Sequence, residues 1–284
     1  MARTPDGLNR RAFALSAAAC AALPTLAHAH APFAFTGRLQ QGGFLFGRTE
    51  PGAPFAVDGK VEGQASSRGL FVVGFDRDAP PRTTVAVLQG GHWAEVPLTI
   101  APSAWDIQRI DGLPPQTVTP TDPEVLKRIE YEHRIKAAAF ASRDAGDAFA
   151  GGFILPLASP VRTSPFGVQR VLNGEPKAPH YGVDLAAPEG TPVHAPADGL
   201  VVLAAPDLFL DGGLALIDHG QGLISMYLHQ SRLDVVQGQR IVRGQMIGAV
   251  GMKGRATGPH LCWRMSWRGR HLDPSLMIGT SAPA

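Results

Sequence analysis

Three short stretches of this 284-residue chain concentrate the side chains able to bind a metal or move a proton. His180-Tyr181-Gly182-Val183-Asp184 sets an imidazole and a carboxylate four residues apart, and His260-Leu261-Cys262 sets an imidazole and a thiol two apart. Tyr227-Leu228-His229 ends an apolar run with another imidazole. Successive strand residues alternate between faces, so even spacings place both members of a pair on one side. A catalytic zinc site takes three protein ligands from His, Asp/Glu and Cys and keeps one position open. Three extended stretches converging on one face would supply such a set, with zinc as the cofactor.

The elements around these residues read as mainly β. Residues 200–203, 214–217 and 223–227 are strand-like, and Gly220-Gln221-Gly222 joins the last two as a hairpin. Residues 32–102 form another series of short apolar runs separated by Gly, Pro and Asp, at the spacing of a β-sandwich and without catalytic spacing. Between the two lies a Pro-rich linker, Leu113-Pro114-Pro115 and Thr119-Pro120-Thr121. Asp122 is placed to cap a helix that starts at Pro123 and ends at Gly146. Glu130/Arg134 and Glu132/Lys136 are i,i+4 pairs that support it. The expected division is a signal over 1–29, an N-terminal β-sandwich-like domain over 32–112, a linker and helix over 113–152, and a C-terminal domain over 153–284 that holds every candidate site residue.

The C-terminal region resembles the lysostaphin/LytM-type endopeptidases of family M23. The resemblance rests on Ser164-Pro165-Phe166-Gly167, His180-Tyr181-Gly182-Val183-Asp184-Leu185-Ala186-Ala187-Pro188, Gly190-Thr191-Pro192-Val193 and Ala195-Pro196-Ala197-Asp198-Gly199. It extends through Ile217-Asp218-His219-Gly220, Tyr227-Leu228-His229 and Thr257-Gly258-Pro259-His260-Leu261, and does not reach the N-terminal β region. It implies a barrel-like β-sheet peptidase domain and a zinc endopeptidase acting on the peptide cross-links of bacterial peptidoglycan. For a periplasmic protein the expected bond is the meso-diaminopimelate cross-link. It further implies that His180 and Asp184 bind zinc, that His260 is the general base and that His229 donates to the oxyanion. The third ligand of the family is a histidine, and here Cys262 stands in its place. Thiolate is an accepted zinc ligand, but Asp184 and Cys262 together cancel the metal's charge, so hydrolysis is expected to be slower or more alkaline. The opposing reading is a small buried hydrophobe in an inactive site. A regulator that has lost catalysis and activates a cell-wall amidase, or assists a division protein, is the alternative function.

Composition narrows the partners. Lys and Arg total 26 against 24 Asp and Glu, and residues 1–29 carry three arginines and one aspartate, which leaves a mature chain without net charge. No basic run argues for nucleic acid, and no apolar run beyond the signal is long enough to span a membrane. Arg10-Arg11 followed by an Ala-rich stretch resembles a twin-arginine export signal, with Ala27, Ala29 and Ala31 fitting cleavage. Export then removes Cys20 and leaves Cys262 as a single thiol in the periplasm or cell envelope. His92, His133, His194, His219 and His271 read as turn or surface residues. Trp263 and Trp267 read as core or groove lining, and Tyr181 as a residue that lines the groove.

Overall fold

The computed structural model describes residues 32–284. The export-signal reading, with Arg10-Arg11 and Cys20, lies outside the described residues. No helix among the described residues is long and apolar enough to cross a membrane.

Two antiparallel sheets build the N-terminal part. Ala34–Arg38, Phe44–Arg48 and Leu70–Gly74 form one in that spatial order, and Lys60–Gln64, Pro54–Val57, Arg82–Gln89 and His92–Thr99 form the other. The hairpin between the last two turns at Gly90-Gly91, where φ is 55° and 82°. A two-residue turn with positive φ at both centres matches the twist of its strands and favours glycine. Apolar side chains from both sheets, among them Phe44, Phe55, Phe71, Val85 and Val87, meet in one cluster.

That cluster does not stop at the N-terminal part. Phe149, Phe153, Leu223, Met265 and Trp267 belong to it, Phe46 stacks on Phe149 at 5.1 Å, and Phe55 on Trp267 at 6.5 Å. Arg68 and Ser66 donate to Asp147, and Arg270 pairs with Glu62 at 3.0 Å. Trp267 is therefore core where the two parts fuse, and Trp263 is fully buried in the second part.

The C-terminal part is built on an eight-stranded antiparallel sheet. Its order is Arg240–Ile241, Gly199–Leu208, Gly212–Asp218, Leu223–Gln230, His260–Trp267, Gly182–Ala186 and Val161–Ser164, with Arg270–Leu272 paired to His260–Trp267. The expected mainly β fold with a linking helix forms, and this sheet is not a closed barrel. The two-residue strand Arg240–Ile241 ends one edge, Val161–Ser164 ends the other, and the two edges do not pair.

The helix Pro123–Phe140 starts as its cap predicts, with Asp122 accepting from the Glu124 and Val125 amides. It ends at Phe140 rather than Gly146, where Arg143 donates to the Phe140 and Ser142 carbonyls. Glu130 pairs with Arg134 at 2.8 Å as expected. Glu132 does not pair with Lys136. It is buried, takes Arg128 at 2.8 Å and accepts from the Phe209 amide, while Lys136 goes to Asp211. These contacts pin the helix on the sheet, where Ile135, Ala139 and Phe140 pack against Leu203, Leu208, Leu214 and Met226. Cys262 lies in the same apolar cluster.

Candidate metal centre

Strand pairing places the carboxylate opposite the thiol. In the antiparallel ladder between Gly182–Ala186 and His260–Trp267, Asp184 is the register partner of Cys262. The pair is tight because Gly182 has no side chain: a Cβ there would lie 2.5 Å from Arg264 Cγ and 3.2 Å from Cys262 Sγ. His180 is not on the strand, contrary to the expected spacing argument. It precedes Gly182–Ala186 and is held by backbone bonds, its N–H donating to the Val168 carbonyl and its own carbonyl accepting from Gly167.

His180, Asp184 and Cys262 are all buried, and their ligand atoms lie within 4.8 Å of one another. His180 Nε2 is 3.0 Å from Asp184 Oδ1 and 3.3 Å from Cys262 Sγ. His180 Nδ1 faces the Ser164 hydroxyl at 3.1 Å and the Pro165 carbonyl at 3.3 Å. A carbonyl only accepts, so Nδ1 carries the proton and Nε2 presents its lone pair to the carboxylate. Asp184 Oδ1 is buried without a hydrogen-bond donor. Two lone pairs and a sulfur thus converge on one buried point, and such an arrangement is expensive unless the thiol proton or a cation sits among them. The observed 3.0 and 3.3 Å separations are close to the edges of a tetrahedron with bonds of roughly 2.0–2.3 Å to N, O and S. The donor set therefore fits a zinc-type ion.

The charges agree with that fit. Burial pushes Asp184 up, but the charged groups that face it, the Arg170 guanidinium among them, hold the carboxyl well below the usual range. Burial lowers His180, with Asp184 offsetting only part of the effect, so the imidazole stays neutral and able to ligate. Burial pushes the Cys262 thiol up to about 12, against the pull of Arg264. A thiolate here needs a metal to displace the proton.

The two other histidines stand beside this cluster. His260 Nε2 is 3.8 Å from Asp184 Oδ1, and the His229 and His260 rings are 4.7 Å apart. Nδ1 of His260 donates to the Gly258 carbonyl at 2.8 Å, which leaves its Nε2 free to accept a proton. His229 Nδ1 donates to the Lys253 carbonyl at 2.8 Å in the same way. Burial, with repulsion from His260, lowers His229 to about 4. The neutral ring therefore offers an acceptor at Nε2, and the expected donor role at an oxyanion requires that it first take up a proton.

Two arginines stand on the anionic donors. Arg170 Nη2 donates to Asp184 Oδ2 at 2.8 Å, and Arg264 Nε donates to Cys262 Sγ at 3.3 Å. Neither has a motif signal, although Arg264 lies two residues beyond Cys262 on the same strand face and the period of two points to it. The end of the N-terminal part also contributes. Ile107–Ile110 pairs in parallel with Gln169–Leu172, and the Ser164 hydroxyl donates to Gln108 Oε1 at 3.1 Å. Gln108, Ile110 and Leu113 line a cavity of about 270 Å³ together with Asp184, His229 and His260.

The remaining histidines stay outside this group. His219 is not a turn residue but fully buried, bonded to the Asp198 carbonyl and to Ser225 Oγ. His271 stacks on Tyr181 at 3.7 Å, which takes Tyr181 out of the groove-lining role. His92 and His133 are exposed, and His194 is half-buried.

The profile of Peptidase family M23 matches residues 178–274, the span that holds all five site residues. Peptidoglycan DD-endopeptidase ShyA of Vibrio cholerae is 45% identical over 96 residues, covering 34% of this chain and 22% of the relative. DD-carboxypeptidase/endopeptidase Mpg of Neisseria meningitidis is 38% identical over 125 residues, covering 44% and 29%. A crystal structure of a candidate M23 peptidase from Pseudomonas aeruginosa superposes with a TM-score of 0.65 at 32% identity, covering 85% of this chain and 96% of that one. This chain belongs to peptidase family M23. It spans less than a third of the length of those two curated relatives.

Proposed function

We propose that this protein is an exported zinc endopeptidase that hydrolyses peptide cross-links of peptidoglycan in the periplasm. Residues 153–284 carry the chemistry in this reading, and residues 32–112 with the linker brace and border the groove. The observation that carries it is the convergence of His180, Asp184 and Cys262 on one buried point, with Asp184 Oδ1 left without a donor. The DD-endopeptidase and DD-carboxypeptidase/endopeptidase relatives support the substrate class.

His180, Asp184 and Cys262 would hold zinc. When bound, zinc supplies Lewis acidity toward a peptide carbonyl and a water. His260 presents a bare Nε2 to the cavity and takes the proton of the attacking water as general base. His229 accepts at Nε2 in its neutral form, and once protonated it donates toward the developing oxyanion. Ser164 fixes the His180 tautomer and Arg170 orients Asp184. Arg264 draws electron density from the Cys262 sulfur, which offsets the extra negative charge that cysteine brings in place of histidine.

Release of peptides from purified peptidoglycan tests this reading. The wild-type protein should release them, and His260→Ala should fall by roughly 10²–10⁴-fold, the usual contribution of a general base. Equal release by both variants, or none by the wild type, refutes it.

A further inference from the structure

The cavity beside the histidines is bordered by more cationic charge than the site balances. Arg170 and Arg255 both line it. Arg170 holds Asp184 through Nη2, yet its buried Nε has no partner. Arg255 donates from Nη1 to the Thr117 carbonyl at 3.1 Å, and among the described residues no carboxylate lies within ion-pair distance of it. It is half-buried. Burial, and repulsion from Arg170 and Arg264, lower its pKa, with Asp211 offsetting only part. A guanidinium fork that borders a cavity, repelled by two like charges and lacking an acid, is built for an anion that arrives with the ligand.

We propose that Arg255, with Arg170 beside it, forms a subsite for a free carboxylate of the substrate next to the scissile bond. The inference rests on the peptidase reading and names its substrate class: peptides whose departing residue carries a carboxylate on the carbon bonded to the scissile nitrogen. A C-terminal amino acid meets this requirement. So does a cross-link made to an amino group of diaminopimelate, because that amino group shares its carbon with a carboxylate. A cross-link through the side-chain amine of lysine does not. One subsite would then serve both trimming of a terminal residue and cleavage of a diaminopimelate cross-link, and it would discriminate against lysine-linked walls.

A matched pair of acylated D-alanyl-D-alanine peptides tests this, one with a free C-terminal carboxylate and one with a C-terminal amide. Cleavage is followed with the wild type, Arg255→Ala and Arg255→Lys, and calorimetric binding of both probes is measured in a His260→Ala background with and without Arg255→Ala. The wild type should favour the free acid by about tenfold or more, the scale of a charge-assisted hydrogen bond, and Arg255→Ala should bring the two probes within about threefold. Arg255→Lys, which keeps the charge without the fork, should fall between. No preference in the wild type, no binding of the free acid, or an equal loss for both probes in Arg255→Ala overturns the subsite. The last outcome would make Arg255 a clamp for the linker at Thr117. Digestion of whole peptidoglycan by the same wild-type preparation shows whether the peptidase reading stands when the subsite fails.

Discussion

His219 should make the protein sensitive to mild acid, and replacing it should remove a defined share of that sensitivity. The ring is fully buried, donates from Nδ1 to the Asp198 carbonyl at 2.6 Å, and accepts at Nε2 from the Ser225 hydroxyl at 2.7 Å. Burial lowers it to about 4, against partial support from the Asp198 carbonyl and Asp218. The ordinary value in an unfolded chain is about 6.5. Between those values the unfolded chain binds the extra proton and the folded chain does not. Its contribution is therefore complete above about pH 6.5, is lost as pH falls toward 4, and changes no further below that. Integration from pH 7 to pH 5 gives a loss of about 2 kcal/mol from this one group. The assay is urea unfolding of metal-free protein at pH 7 and pH 5, comparing wild type with His219→Gln, which retains a donor and an acceptor but does not titrate. His229 titrates similarly in both proteins and cancels in the comparison. The variant should lose about 2 kcal/mol less than the wild type across this interval. An identical loss in both proteins would show that His219 is not held neutral, and the reasoning would fail.

Other positions test the scaffold and its hold on the site. Glu132→Ala leaves the Phe209 amide without its acceptor and Arg128 without its buried partner, and chemical denaturation should show a loss of about 2–3 kcal/mol. Trp267→Ala empties a fully buried position where the two parts share a core, so it should cost about 3–5 kcal/mol by the same assay. Calorimetry of the wild type should accordingly give a single cooperative transition. Ser164→Ala removes the nearer of the two partners of His180 Nδ1 and should weaken zinc affinity by roughly 10–100-fold in a chelator competition, with little change in the melting temperature of metal-free protein.

The donor residues were readable because their chemistry is rare and their spacing matches the period of a strand. Cys262 and His260 share a strand face as that period requires, and Asp184 falls opposite Cys262 once the two strands pair. His180 reaches the same point without being on a strand, so its position depends on backbone bonds to Gly167 and Val168 that no spacing encodes. Arg170 was not readable for a similar reason. Arg170 is carried by Gln169–Leu172, whose neighbour in the sheet is the strand Ile107–Ile110, more than fifty residues away. The helix shows the same division. Asp122 and Pro123 announce its start through a local cap, whereas Glu132 and Lys136 exchange their i,i+4 bond for tertiary partners, Arg128 with Phe209 and Asp211. His219 looked like a turn residue because Gly220 follows it, and only its tertiary neighbours bury it. The open edges of the sheet reflect short terminal strands, which strand count alone does not reveal.

Metal content of the purified chain bears most directly on the three-donor centre. Elemental analysis of the wild type and Cys262→Ala, after exhaustive dialysis against metal-free buffer, should give one zinc per chain for the wild type and close to none for the variant, with both remaining folded by circular dichroism. A wild type without zinc, or a Cys262→Ala protein that keeps a full equivalent, would contradict the assignment of His180, Asp184 and Cys262 as its ligands.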